Sequence, residues 1–161
     1  MNVLIANLHQ DKHAQDILFM LGQYATDIMG GGQALSSEVK NNLIPQLQKR
    51  ESSVVFLAYE GEQAVGLAIC FEGFSTFYAK PLLNIHDFVV SPDSRGKGVA
   101  KLLLDNIESL AKERNYCKLT LEVLEGNHRA QKVYRDFGFA GYELDAGSGK
   151  ALFWDKKMIY I

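Results

Sequence analysis

One stretch limits the folds open to this chain more than any other: Val90-Ser91-Pro92-Asp93-Ser94-Arg95-Gly96-Lys97-Gly98-Val99-Ala100. An apolar run stops at a serine–proline pair, a glycine-rich arc follows, and an amphipathic helical pattern opens at once. A strand must therefore hand over to a helix through a tight turn. Amides in the first turn of a helix have no internal acceptors, and the macrodipole adds partial positive charge there. Such a turn receives an anion readily. Gly96 and Gly98 let the backbone approach phosphate oxygens without a Cβ, Ala100 keeps the first turn slim, and Arg95 and Lys97 add positive charge. Two familiar glycine motifs do not fit. A P-loop ends in Gly-Lys-Ser/Thr, and here Val99 follows Gly98; a dinucleotide fingerprint needs a third glycine where Lys101 stands. The other reading of these residues is a glycine-rich loop with a basic pair on the surface.

Around this turn the pattern alternates between helix and strand. Met1 to Leu8 reads as a strand. Asp11 to Met29 carries Ile17, Leu18, Leu21, Tyr24, Ala25 and Ile28 at helical spacing, broken by Gly30-Gly31-Gly32. Ser36 is placed to cap a second helix with Val39, Leu43 and Leu47 on one face, and Pro45 inside it predicts a kink or two pieces. Val54–Tyr59 and Ala64–Phe71 flank a turn at Glu60-Gly61-Glu62-Gln63 and read as a hairpin. Gly73 to Lys80 is an aromatic loop or hairpin extension, and Leu82–Val90 is the next strand. Val99, Leu102, Leu103, Ile107, Leu110 and Ala111 trace a third helix. Lys118–Val123 alternates as a strand. Ala130, Val133, Tyr134 and Phe137 mark a fourth helix closed by Gly138. Phe139–Leu144 and Ala151–Ile159 then read as two final strands around Gly147-Ser148-Gly149. This is a mixed α/β order.

Composition excludes more than it selects. The chain has 161 residues, 47% hydrophobic and 22% charged, in keeping with one globular domain over residues 1–161. A net charge of -2 gives no basic face for nucleic acid. The two cysteines, Cys70 and Cys117, have no partners at metal-ligand spacing, so no metal is expected. Cys70 lies in an apolar alternating run and reads as a buried thiol. No stretch of about 18 apolar residues offers a membrane span. Met1–Leu8 lacks the basic start of a signal peptide, so the cytoplasm is the expected location.

On these residues the chain resembles the GNAT superfamily of acyl-CoA N-acyltransferases. The family's Arg/Gln-x-x-Gly-x-Gly/Ala signature stands here as Arg95-x-x-Gly98-x-Ala100. Its Asn-x-x-Ala-x-x-x-Tyr run with a following Gly-Phe stands as Asn127, Ala130, Tyr134, Gly138 and Phe139. The resemblance implies a single GNAT-type domain with a splayed, mostly antiparallel central sheet of about six to seven strands, flanked by about four helices. It implies acetyl-CoA as acetyl donor, its pyrophosphate held by Arg95, Gly96, Lys97, Gly98, Val99, Ala100 and Lys101. Main-chain groups of Phe88, Val89 and Val90 would serve the pantetheine arm and the thioester oxygen. Asn127 would touch pantetheine, and Tyr134 would reach the sulfur. The resemblance is compatible with a homodimer paired through Ala151–Ile159.

An amine attacking a thioester must lose a proton, the carbonyl oxygen must be stabilised, and the thiolate must be protonated as it leaves. Tyr134 is the expected acid; packing on the apolar helix face is its other reading. His86 is the expected base, because imidazole titrates near neutrality; a hydrogen-bonded structural histidine is the alternative. The chain resembles the polyamine- and thialysine-type members through Phe74-Ser75-Thr76-Phe77 and Ile85-His86-Asp87-Phe88. It departs from them where His86 replaces a glutamate. Phe71, Phe74, Phe77 and Tyr78 with Glu72 line an acceptor pocket or form a packed hairpin. Phe153 and Trp154 read as core or interface. The expected activity is acetyl-CoA-dependent N-acetylation of a primary amine on a small molecule, by direct transfer in a ternary complex. A protein or peptide acceptor, and a coenzyme-A-binding sensor without chemistry, are the alternatives.

Overall fold

In the computed structural model the described residues are 1–143, 145 and 147–158. They form two compact units, Met1–Leu124 and Glu125–Ile161. The first unit runs β1 (Asn2–Ile5), α1 (Asp11–Thr26), a 3-10 turn (Ile28–Gly30), α2 (Ser37–Gln48), β2 (Ser53–Glu60), β3 (Gln63–Ser75), β4 (Lys80–Val90), a second 3-10 turn (Pro92–Ser94), α3 (Val99–Glu113) and β5 (Leu119–Leu121). The strands form one sheet in chain order, antiparallel from β1 to β4, with β5 parallel to β4.

Both faces of this sheet are covered, which is why β2 is a continuous apolar run rather than an alternating one. Ile17 and Met20 of α1 and Ile44 and Leu47 of α2 pack with Leu57, Leu67, Ile69 and Val89 on one face. On the other, α3 lies close over Gly66, where a Cβ would stand 2.8 Å from Val99 Cγ1 and 2.9 Å from Leu103 Cδ1. Leu103 is fully buried, which stabilises by about 1.5–3 kcal/mol. The buried stripe of α3 includes Leu104, while the expected Leu102 is only half-buried.

Several local expectations change. Pro45 sits inside α2, yet the helix is continuous from Ser37 to Gln48. The proline lies in the last turn, where a lost amide bond leaves little helix to disrupt. Ser36 caps that helix as expected, its Oγ accepting from the Val39 amide at 3.2 Å. The tight β2–β3 turn uses Gly61 at φ +61°. β3 and β4 extend past their expected ends to Ser75 and Lys80. At their tip Phe74, Phe77 and Tyr78 are exposed, Phe77 completely (100%), so these rings do not form a packed hairpin.

The second unit is built on α4 (His128–Phe137). It ends at Gly138, φ +111°, where the Phe139 amide donates to the Tyr134 carbonyl at 2.9 Å. The expected strands over Phe139–Leu144 and Ala151–Ile159 are absent among the described residues. One antiparallel bridge, Glu143 to Lys150, stands there instead, and Leu144 and Ile159 lie outside the described residues. The sheet of the described residues is therefore five-stranded, not the expected six or seven. Asp145 accepts from the amides of Gly147 and Ser148 and folds a tight turn. A lone hairpin of this kind is too marginal to hold a ladder without a packed face. Leu152, Phe153 and Trp154 are exposed coil rather than core.

Candidate active site

α3 opens as its sequence predicts. Gly98 is the N-cap, at φ +85° and with no side chain to offer, and Gly96 stands at φ +80°. No atom lies within 4 Å of a Cβ built at either glycine, so the backbone conformation, not crowding, demands them. Leu102 is the first residue whose amide finds a carbonyl one turn back, Gly98 at 3.0 Å. The amides of Val99, Ala100 and Lys101 precede it at the positive end of the helix dipole. That cradle and donor set fit a pyrophosphate. Lys97 is exposed beside it, while Lys101 pairs with Asp105 at 2.8 Å. Arg95 is engaged on the protein: Nε donates to the Val90 carbonyl at 3.2 Å, and Nη2 pairs with Asp27 at 2.9 Å.

The strand before the turn holds a feature that period counting alone does not find. In the β3–β4 ladder Ile69 faces Asp87 and Cys70 faces Ile85, so His86 is an extra residue. It is a β-bulge, which shifts the alternation by one position. Asp87 shares the face of its partner Ile69, the α1 side, and the His86 ring meets Phe71 of that side edge-on, centroids 5.5 Å apart. The bulge thus puts His86 and Asp87 side by side on one face. Burial holds the Asp87 carboxyl above the ordinary carboxylate range, and His86 partly offsets this. The Tyr24 hydroxyl of α1 is pushed up by burial and then by the Asp87 and Asp27 carboxylates. The signal in the sequence is the adjacent polar pair His86-Asp87 inside an alternating strand. For Asp27, which packs against Arg95 across 68 positions, the sequence carries no signal.

β5 leaves β4 at the bulge. The two pair in parallel only over Leu83–Ile85 and Leu119–Leu121, whereas β4 runs on to Val90. The Ser91 amide donates to the Val65 carbonyl. By antiparallel alternation, Val89 then points its main-chain groups at β3, and Phe88 and Val90 point theirs to the side β5 has left. Pairing between the two strands therefore stops at Ile85, while β4 runs on toward the glycine turn. His86, Phe88, Val89, Val90 and Arg95 to Lys101 all belong to this one region of the first unit.

Residues 24–139 match the sequence model described as the Acetyltransferase (GNAT) family. The chain belongs to that family. An uncharacterised N-acetyltransferase of Archaeoglobus fulgidus is 34% identical over 98 residues, 60% of this chain and 66% of its own length. A thialysine N-epsilon-acetyltransferase of Caenorhabditis elegans is 22% identical over 128 residues, 76% of this chain and 74% of the relative. The chain thus spans about two thirds of the archaeal relative's length. Among solved structures, one of a probable acetyltransferase superposes with a TM-score of 0.81 at 21% identity, covering 98% of this chain and 100% of the other. This GNAT chain therefore shares that fold.

The second unit carries the other two expected site residues. Asn127 caps α4, its Oδ1 accepting from the Ala130 amide at 3.1 Å. Tyr134 is buried in α4, its ring edge-on to Phe139 at 5.9 Å. The packing read as the alternative for Tyr134 is therefore present for its ring; the hydroxyl is a separate matter. Among the described residues no group of three His, Cys, Asp or Glu side chains converges as a metal site, and no helix is long and apolar enough to cross a membrane.

Proposed function

We propose that this protein moves an acetyl group from acetyl-CoA to a primary amine of a small molecule, by direct transfer in a ternary complex. The parting of β4 and β5 beside a phosphate-binding turn carries the reading, because a long donor with one anionic end needs both. Acetyl-CoA supplies an acyl group activated as a thioester. The amides of Val99, Ala100 and Lys101, with Gly96, Lys97 and Gly98, bind its pyrophosphate, and Arg95 braces the turn. Main-chain groups of Phe88 and Val90 align the pantetheine arm, and an amide there stabilises the carbonyl oxygen as it gains charge; Val89, expected to share this role, turns its main-chain groups to β3. Asn127 adds a contact to that arm. His86 takes the proton of the amine, directly or through water, and the Tyr134 hydroxyl gives one to the departing sulfur.

Direct transfer is supported by the state of the Cys70 thiol. Burial pushes Cys70 up to about 12, which keeps it protonated and poor as a nucleophile. A small-molecule acceptor is supported by the thialysine-acetylating relative. We take the protein to be a single functional domain of the cytoplasm, with a homodimer as the assembly to test by light scattering.

Incubation with acetyl-CoA and a panel of primary amines, followed by free thiol, tests the reading. Thiol release above the amine-free rate with a small amine is the expected result. Release with peptide lysines alone would move the acceptor to proteins. Tight acetyl-CoA binding with no release from any amine would make the protein a sensor.

A further inference from the structure

The glycine turn poses a problem that its own residues do not solve. Gly96 and Gly98 both stand at positive φ with nothing within 4 Å of their Cβ positions. A turn with this much open space around it must hold its shape before it presents amides to a ligand, because ordering on binding costs affinity. Arg95 is the side chain in the turn that is tied to other elements. Its Nε holds the end of β4 through the Val90 carbonyl at 3.2 Å, and its Nη2 holds Asp27 at 2.9 Å. Asp27 lies at the end of α1 and has its second oxygen in use: Oδ1 accepts from the Met29 amide at 2.9 Å and caps the 3-10 turn Ile28–Gly30. Its own amide donates to the Tyr24 carbonyl at 3.0 Å. The pair is only partly exposed, at 34% for Arg95 and 25% for Asp27, and each partner is held by a further bond. That separates it from the free surface pairs that contribute little.

We propose that Asp27 is a positioning residue for the donor site: through Arg95 it fixes the glycine turn in the shape that receives the coenzyme A pyrophosphate. The inference rests on the donor reading above. It follows that the segment after α1, which ends in Gly31 and Gly32 at φ +108° and +69°, is energetically linked to the cofactor turn. Linkage is reciprocal, so occupation of the turn tightens that segment in return.

Coenzyme A binding by calorimetry, with circular-dichroism melts, tests this in the full chain. Asp27→Asn keeps an acceptor for the Met29 amide and replaces the oxygen that accepts from Arg95 with an amide NH2, removing the charge and the hydrogen bond of the pair together. It is expected to weaken coenzyme A binding by about fivefold or more, although it lies outside the turn. Asp27→Glu, which keeps the charge, is expected to recover much of the loss. In an Arg95→Gln background the Asp27→Asn change is expected to be silent, because the group it acts through is gone. A merely structural Asp27 would lower Tm equally in both backgrounds. Unchanged coenzyme A affinity in Asp27→Asn, or effects of the two substitutions that simply multiply, overturns the proposal and leaves the donor reading standing. Failure of the parent protein to bind coenzyme A overturns both.

Discussion

Tyr134→Phe removes one oxygen and leaves the ring that packs against Phe139. With the hydroxyl as the acid, kcat falls by about 10²–10⁴-fold while the KM for acetyl-CoA holds. Steady-state kinetics at saturating donor check it, and an unchanged kcat would return Tyr134 to packing alone. His86 stands on a bulge and is exposed, so His86→Ala costs little beyond its edge contact with Phe71. It is expected to lower kcat by about 10²–10⁴-fold; an unchanged kcat would make it structural. Asp87 differs in kind. Its folded pKa is raised above the ordinary 3.8, chiefly by burial. Its protonation therefore favours the folded state below that value, and this contribution is lost as pH rises through the folded pKa. Asp87→Asn is accordingly expected to raise Tm at pH 7 and to make little difference at about pH 3.

At the scale of elements, two glycines act through different physics. Gly66 is where α3 meets the sheet, and an added methyl would enter the space of Val99 and Leu103, with the Ala58 Cβ also at 3.1 Å. Gly66→Ala is expected to destabilise by about 1–3 kcal/mol through overpacking, read from denaturant unfolding. Gly98 has open space around it and a positive φ. Gly98→Ala is expected to cost about 1–2 kcal/mol through backbone strain alone, and to weaken coenzyme A binding by misplacing the first amides of α3. The elements themselves are legible because helix and strand periods repeat over many residues: α3, α4 and the β2–β3 hairpin stand where their apolar spacing puts them, while α1 ends at Thr26, short of the expected Met29, and leaves Ile28 exposed. Asp27 was not legible, since an ion pair across 68 positions leaves no local pattern. The two final strands were misread for a related reason. Phe139 to Ile159 alternates in places, but alternation yields a strand only where a partner and a buried face are available.

For the whole molecule, membership of the family rests on the match over residues 24–139, and the geometry adds how the parts serve one donor. Among the described residues a five-stranded sheet covered on both faces holds the glycine turn at one end of β4, and β5 pairs with only Leu83–Ile85 of that strand. The sequence motif alone says that an anion binds at a helix start; the proposed donor arm would lie along the stretch of β4 beyond that pairing. The bulge in β4 also bears on how such a site is acquired. Ile85 faces Cys70 on one side of His86, and Asp87 faces Ile69 on the other. Deleting codon 86 would close the ladder and leave Asp87, Phe88, Val89 and Val90 on the faces they already occupy. The histidine at this position is an extra residue: its removal would cost the contacts with Phe71 and Asp87 and leave the facing of the strand as it is.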